Sequence, residues 1–174
     1  MESSAEHHRW MSVKNAMTRE VVSIRASDKV KDAWFIMMEA GISGAPVVDD
    51  SGNLVGILSI TDIHREVLGR IQKARSLREA IAQTSDPGAE EKEELRELSL
   101  AIRAVADETV LSTLPKDQHV HSLAPEDSLD RAIRLMAEHS VNRLPVVKDN
   151  HVVGIITRQD VIWVISGRPK QSEI

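Results

Sequence analysis

The stretch Gly56-Ile57-Leu58-Ser59-Ile60-Thr61-Asp62 decides the fold, because the chain repeats its pattern 98 residues later as Gly154-Ile155-Ile156-Thr157-Arg158-Gln159-Asp160. In each copy a short apolar run is followed by a hydroxyl residue and, three positions on, by an aspartate. These two side chains can satisfy the free amides at the start of a helix. The pattern therefore predicts, twice, a strand that leads directly into a helix.

The repeat extends well upstream of these motifs. The runs at 21–24 and 120–123 predict a first strand, and Ala45-Pro46-Val47-Val48 and Leu144-Pro145-Val146-Val147 predict a second. The offset between the copies is 99 residues and drops to 98 at the glycines, because the turn at 148–151 is one residue shorter. A register held over about 45 residues, with its only length change in a turn, indicates an internal duplication.

Each copy also carries a predicted helix between its first two strands. Ser27-Asp28 offers an N-cap for the first of these helices, and Gly41 a stop. Leu54 to Leu58 predicts a third strand that forms a hairpin with the second. Since neither copy has much core alone, we expect the two to bury their apolar faces against each other. The apolar positions with helical spacing are Val30, Ala33, Trp34, Met37 and Met38, and then Leu129, Ala132, Ile133, Met136 and Ala137.

The duplication divides the chain into five segments. They are a tail at 1–12, a first repeat domain at 13–68, a helical insert at 69–109, a second repeat domain at 110–166 and a tail at 167–174.

The insert is predicted to form two helices separated at Ser85-Asp86-Pro87-Gly88. The second helix places Leu95, Leu98, Ile102 and Val105 on one face. Its acidic run, Glu90, Glu91, Glu93, Glu94 and Glu97, lies mostly off that face. We interpret the run as a solvated helix face in preference to a charged interaction tail. The insert offers a surface for docking on the protein itself or on a partner.

Composition restricts the classes of function. Apolar residues make up 41% of the 174 residues and aromatics only 2%, so the core must be aliphatic. The chain has no cysteine, which excludes disulfides, thiolate catalysis and cysteine metal sites and suits a reducing cytoplasm. No apolar run is long enough for a membrane helix, and the net charge of −5 gives no reason to expect nucleic acid. His7 and His8 are interpreted as polar tail, and no metal site is predicted. We expect a soluble cytoplasmic protein.

The motifs together resemble a tandem pair of CBS domains, the cystathionine β-synthase type repeat often called a Bateman module. The resemblance rests on Ala16-Met17-Thr18, on 42–49 and 56–63 in the first copy, and on 141–147 and 154–161 in the second. It covers roughly two thirds of the chain. It implies an α+β fold of two βαββα units packed through their sheets with pseudo-twofold symmetry. Two clefts result, which in this family commonly hold AMP, ADP, ATP or S-adenosylmethionine.

The resemblance also implies residue roles. Asp62 and Asp160 would bind the ribose, with Ser59 and Thr157 beside ribose or phosphate, since a helix start favours anions. The same residues also fit simple capping boxes, which would be the preferred interpretation of either motif alone, whereas the complete repeat favours ligand contact in at least one cleft. The base would lie against Ile24 and Ile42 in one cleft and against Leu123 and Val141 in the other. The remaining candidate positions are Ser23, Ser43, Ala45, Pro46, Ser122, Asn142, Arg143, Leu144, Pro145 and Arg158.

The two copies differ in charge. The second has Arg143 and Arg158 where the first has Gly44 and Ile60. Arginine suits phosphate because its planar guanidinium makes bidentate, charge-assisted hydrogen bonds. We therefore predict that the site around Asp160 is the stronger nucleotide site.

These features favour a regulatory sensor with an adenosine nucleotide as regulatory ligand and no catalytic cofactor. CBS pairs often form homodimers, and an unidentified regulated protein is a possible partner. One alternative is a dimerisation scaffold that binds no small ligand. Another is an enzyme related to inosine-5′-monophosphate dehydrogenase, but that reaction needs a barrel domain and a cysteine nucleophile, and the chain provides neither.

Overall fold

The computed structural model describes residues 12–81, 87–116 and 118–167, and side chains within 78–91 are not described. The predictions for residues 1–11, Ser85-Asp86 and 168–174 therefore lie outside the described residues, as do the side chains of Glu90 and Glu91. The chain divides into two compact units. The first-repeat unit contains 24–50 and 56–118, and the second-repeat unit contains 12–23, 51–55 and 119–167. No helix in these described parts is both long and apolar enough to span a membrane.

The second-repeat unit is built on a β-hairpin. Strands β4 (Arg143–Lys148) and β5 (His151–Thr157) pair antiparallel, with Lys148 opposite His151. The two turn residues Asp149 and Asn150 have φ values of 51° and 67°. Positive φ at both central residues matches the strand twist, which explains why Asp and Asn occupy the turn. Helix α6 (Leu129–Glu138) precedes the hairpin and α7 (Arg158–Ile165) follows it.

The first-repeat unit has the same order of elements. Strand β1 (Ile24–Arg25) pairs parallel with β2 (Gly44–Val48), and β3 (Leu54–Ser59) lies on the other side of β2. Helix α2 (Val30–Glu39) connects the first two strands. Helix α3 (Ile60–Ile81) follows β3, and α4 (Pro87–Ala106) comes after it. The α+β class predicted from the sequence is confirmed.

Each unit includes the short helix that leads into the other repeat. Helix α1 (Val13–Ala16), which precedes the first repeat in sequence, belongs to the second-repeat unit, where its Val13 amide donates to the Asp127 carbonyl at 2.8 Å. Helix α5 (Val110–Thr113) belongs to the first-repeat unit, where the Val110 amide donates to the Asp28 carbonyl at 2.8 Å. The leading segments are thus exchanged between the repeats.

The cores are aliphatic, as the composition predicts. Ile24, Met37 and Leu58 are fully buried in the first-repeat unit, and Leu144 and Ile156 are almost fully buried in the second-repeat unit. Burying such a side chain contributes about 1.5–3 kcal/mol, so each unit has its own source of stability.

Both connecting helices end in the same hydrogen-bonded motif. After α2 the Ile42 amide donates to the Met37 carbonyl at 2.9 Å, and after α6 the Val141 amide donates to the Met136 carbonyl at 3.1 Å. This Schellman arrangement needs a left-handed residue just past the helix end. Gly41 provides it in the first repeat with φ +63°, as predicted, whereas the second repeat uses Ser140 with φ +54°.

Three local predictions are corrected. The N-cap of α2 is Lys29, because the Asp28 carboxylate accepts from the Arg25 amide and caps the preceding turn. The predicted strand at 21–24 is reduced to Ile24–Arg25. The predicted strand at 120–123 is reduced to a single parallel bridge between Leu123 and Val146. The β-branched residues at 21–24 and 120–123 favoured the strand prediction, but most of the backbone groups there do not pair with another strand.

The insert is more continuous with the first repeat than predicted. Helix α3 runs through position 69 to Ile81, and α4 begins at Pro87, whose fixed φ and missing amide suit the first position of a helix. Only the C-terminal part of the predicted apolar face is buried: Val105 is 1% exposed, whereas Leu95 is 64% exposed.

Candidate functional site

The second-repeat motif forms a complete capping box at the start of α7. The Thr157 amide and hydroxyl both donate to Asp160 Oδ2 at 2.8 Å, and the Asp160 amide donates to Thr157 Oγ1 at 3.3 Å. Asp160 is only 4% exposed. One carboxylate oxygen is therefore committed to holding the helix start, which confirms that the motif can act as a cap.

The first-repeat motif has the same geometry at the start of α3. The Ser59 amide and hydroxyl donate to Asp62 Oδ2 at 3.0 and 2.5 Å, and the Asp62 amide donates to Ser59 Oγ at 3.2 Å. The other carboxylate oxygen accepts from Arg65 at 2.8 Å, and the Asp62 side chain is 16% exposed. Asp62 is thus more accessible than Asp160, but a cation already neutralises it.

Backbone hydrogen bonds join each helix start to the beginning of the preceding hairpin. The Arg158 amide donates to the Asn142 carbonyl at 3.1 Å, and the Ile60 amide donates to the Ser43 carbonyl at 3.1 Å. In the second-repeat unit Arg143 lies opposite Thr157 in the β4–β5 register. The predicted residues around Asp160 are therefore brought together in one unit.

In each repeat, residues of the predicted first strand pair with the second strand, which carries the predicted proline. The Leu123 amide donates to the Pro145 carbonyl at 3.0 Å in the second-repeat unit, and Ile24 lies opposite Val47 in the first-repeat unit. The exception to this grouping is Ser23, which was predicted with the first-repeat set but belongs to the second-repeat unit.

Burial separates the predicted residues into two groups. One group is buried: Ile24, Ala45, Pro46, Leu123, Leu144 and Pro145 in the apolar interior, and Asp160, whose carboxylate is held by the capping box. The other retains accessible surface and can contact a ligand directly: Ser23, Ile42, Ser43, Ser59, Asp62, Ser122, Val141, Asn142, Arg143, Thr157 and Arg158.

The two arginines have different surroundings. Arg143 is half-buried, and burial lowers the pKa of its guanidinium from the ordinary value. An anion beside such a group would be attracted strongly, because little water screens the charge. Arg158 is exposed and lines a shallow groove with Ile133 and Ile162. Cationic side chains therefore flank the Asp160 helix start on both the strand side and the helix side.

Sequence reasoning missed a cluster of three histidines in the second-repeat unit. The rings of His121 and His139 stack with centroids 3.5 Å apart, and His119 meets His121 edge-on at 4.8 Å. Burial, followed by the neighbouring His139 and His119, lowers the pKa of His121. Across the described residues no group of His, Cys, Asp or Glu has the arrangement of a metal site. His119 and His121 are two residues apart, but His139 lies 18 residues further along the chain, so no local motif indicated the cluster of three.

The chain resembles curated proteins of several kinds. The chain is 31% identical over 147 residues to inosine-5′-monophosphate dehydrogenase of Halobacterium salinarum, a match that covers 83% of this chain and 22% of the enzyme. This chain spans between 22% and 38% of three of the first four curated relatives it matches, and 89% of the other.

Two solved structures show the same fold. The CBS domain of a CBS-domain-containing membrane protein from Sphaerobacter thermophilus is 30% identical with a TM-score of 0.65, covering 92% of this chain and 91% of that one. CBSX2, solved in complex with AMP, is 24% identical with a TM-score of 0.63, covering 90% and 97%. The sequence model of the CBS domain matches residues 13–69 and 112–167. The chain therefore belongs to the CBS domain family and carries two CBS domains.

Proposed function

We propose that this protein is a non-enzymatic sensor that binds an adenosine nucleotide at the start of α7, around Asp160, and more weakly at the start of α3, around Asp62. The observation that carries the proposal is the doubled arrangement of a hydroxyl–aspartate helix start bonded to the beginning of a hairpin. The partial positive charge of a helix start suits a phosphate. An aspartate there can also accept hydrogen bonds from ribose hydroxyls.

The inequality of the two sites is part of the proposal. Arg143 and Arg158 flank Asp160, whereas Gly44 and Ile60 occupy the corresponding positions near Asp62. Arg65 pairs with Asp62 and would compete with a ribose for that carboxylate. The two arginines of the second repeat favour a charged nucleotide at the second-repeat site.

AMP is the first ligand to test, because the fold relative CBSX2 was solved with it. Native mass spectrometry of the purified protein would show any retained nucleotide and the oligomeric state together. Thermal-shift measurements with AMP, ADP, ATP and S-adenosylmethionine would then rank the ligands, because a ligand that binds only the folded state stabilises it by RT ln(1 + [L]/Kd). If no ligand shifts the transition at millimolar concentration, the sensor proposal fails and the ligand-free scaffold takes its place.

We further propose that the protein forms a homodimer through the exposed face of α6 and α7. Ile133, Ile162 and Ile165 are 41%, 57% and 72% exposed on this face. Their counterparts in the first repeat, Trp34, His64 and Val67, line a cavity to which helix α4 contributes a third wall. The described part of the second-repeat unit contains no such covering helix, so a second copy is the occupant we assign to the face.

The dimer is tested by light scattering coupled to size exclusion. Ile162→Glu places a charge in the centre of the face, and we expect it to yield a monomer. Leu111→Glu is the matched control, because Leu111 is also 57% exposed but belongs to α5. A dimer that persists in Ile162→Glu would contradict the assignment.

A regulatory role follows if the nucleotide changes how such a dimer, or an unidentified partner, binds. A ligand can shift a conformational equilibrium only by its difference in affinity for the two states. The relevant measurement is therefore the dimer dissociation constant with and without nucleotide. The matched dehydrogenase is an enzyme, but this chain spans only 22% of it and has no cysteine, so an enzymatic role finds no support in these residues.

A further inference from the structure

The cavity lined by Trp34, His64 and Val67 lies within the first-repeat unit and is separate from the capping boxes at both helix starts. Its volume is about 750 Å³, and it is lined by side chains from α2, α3 and α4. Small-molecule sites typically have about 300–1,000 Å³ and mainly apolar walls. The cavity therefore has the size of a ligand site, and it exists because the insert helix α4 packs against the helices of the repeat.

The walls of this cavity are almost entirely apolar. Trp34 and Phe35 contribute from α2, Val67 and Leu68 from α3, and Leu98 and Ile102 from α4. Phe35 and Leu68 are 65% and 58% exposed, so the space is open to solvent, and an apolar ligand that covers these walls gains free energy roughly in proportion to the apolar area buried. The interior thus favours a hydrocarbon or aromatic body.

The polar groups of the cavity set the charge of that ligand. Of the described lining residues, Lys31, His64 and the indole N–H of Trp34 supply the polar groups, and none carries a carboxylate. Lys31 is half-exposed at the solvent side and pairs with Asp107 at 2.8 Å, and Lys29 lies 3.9 Å from the same carboxylate. Two ammonium groups share one carboxylate here, so Lys31 can exchange part of that pairing for an anionic head group.

We propose that this cavity binds a small amphiphilic acid, an apolar body with one carboxylate, of the class of medium-chain fatty acids. The body fills the space between α2, α3 and α4, and the carboxylate meets Lys31 at the solvent side. This proposal is independent of nucleotide binding, because the cavity shares no residue with the capping boxes at Ser59–Asp62 and Thr157–Asp160.

The probe for the test is decanoate, titrated calorimetrically into the full chain below its micelle-forming concentration, with decanol as the uncharged arm. We expect saturable 1:1 binding of decanoate. Leu98→Trp fills the cavity and should weaken binding at least about tenfold. Leu100→Trp is the matched control on the same helix, because Leu100 is exposed and does not line the cavity.

A second pair of variants, in helix α3, tests the site independently in case Leu98→Trp does not fold. Leu68→Trp narrows the cavity from α3 and should also weaken binding, whereas Leu77→Trp on the same helix should not. Lys31→Gln should weaken decanoate by about threefold to tenfold and leave decanol unchanged. The absence of saturable binding to the wild type, or equal binding by all four tryptophan variants, would overturn the site. An equal loss of affinity for decanoate and for decanol in Lys31→Gln would contradict the contact between Lys31 and an anionic head group.

Discussion

In both units the second strand of the hairpin, β5 or β3, makes a further pair of hydrogen bonds at its outer edge, but different groups provide them. In the second-repeat unit the backbone of Thr18 pairs with Ile155: the Thr18 amide donates at 2.8 Å and the Thr18 carbonyl accepts at 2.9 Å. In the first-repeat unit the corresponding strand residue is Ile57, and the side-chain amide of Gln118 replaces that backbone. Gln118 Oε1 accepts from the Ile57 amide at 2.9 Å, and Gln118 Nε2 donates to the Ile57 carbonyl at 2.9 Å.

The cause of this difference is a proline. Pro115 stands at the position that corresponds to Thr18, five residues after the valine that begins each short helix. Proline has no backbone N–H, so it cannot donate to Ile57 as Thr18 donates to Ile155. What the two units share is therefore the need for one donor and one acceptor at this edge, since unpaired backbone groups are costly. The residue that supplies them is free to differ.

The largest expected effect comes from the glycines that face these leading segments. A Cβ on Gly56 would clash with the Leu114 side chain and approach Gln118 Oε1 to 3.0 Å, whereas a Cβ on Gly154 would clash with Met17. Overpacking costs about 1–3 kcal/mol, and methionine adapts its shape more easily than leucine. We expect Gly56→Ala to lose about 3 kcal/mol and Gly154→Ala about 1 kcal/mol in urea unfolding. A larger loss for Gly154→Ala would contradict this account of the two contacts.

Removing the glutamine amide should have the next largest effect. Gln118→Ala leaves both the amide and the carbonyl of Ile57 without their partner, and an unsatisfied buried group costs about 1–3 kcal/mol. Because Gln118 is only partly buried, we expect a loss of about 2 kcal/mol in the free energy of unfolding.

The control for that substitution is Gln118→Glu. Glutamate keeps an acceptor for the Ile57 amide but has no donor for the Ile57 carbonyl when ionised. It should therefore recover only part of the loss. Full recovery would show that the donor side of the pairing contributes nothing.

The smallest expected effect is at the helix ends. Ser140 adopts the left-handed conformation that Gly41 adopts in the first repeat. Glycine reaches this region without steric cost, so Ser140→Gly should raise the free energy of unfolding by about 1 kcal/mol. Gly41→Ser should lower it by a similar amount, since its Cβ would meet no other atom within 4 Å and only the backbone conformation is at issue. Unchanged stability in both variants would contradict the comparison.

The repeat made much of the fold predictable. The hairpins, the connecting helices and the two capping boxes follow from local patterns that occur twice, and each pattern reflects hydrogen bonds within a few residues. The exchange of leading segments was not predictable, because the Asp28–Val110 and Val13–Asp127 bonds join positions distant in sequence. The role of Gln118 was hidden for the same reason. It lies just before residue 120, where the repeated sequence pattern begins, and nothing local identifies its partner.

The candidate site was predictable only as a set of positions. The sequence indicated that Asp62 and Asp160 begin helices, and the observed capping boxes agree. It could not distinguish residues buried behind the site, such as Ile24 and Leu123, from those with accessible surface, such as Val141. Burial depends on tertiary packing, and all three positions have the same apolar character in the sequence.

The most direct test of the unequal nucleotide sites is calorimetric titration of AMP into wild type, Asp160→Asn and Asp62→Asn. Asparagine can still accept the capping hydrogen bond through its side-chain oxygen, so the helix start is kept while the charge is lost. Hydrogen bonds to charged groups exceed neutral ones by about 1.4 kcal/mol, or roughly tenfold in affinity. We predict that Asp160→Asn weakens AMP binding by about this factor and Asp62→Asn much less. Equal losses in the two variants, or unchanged affinity in Asp160→Asn, would contradict the account.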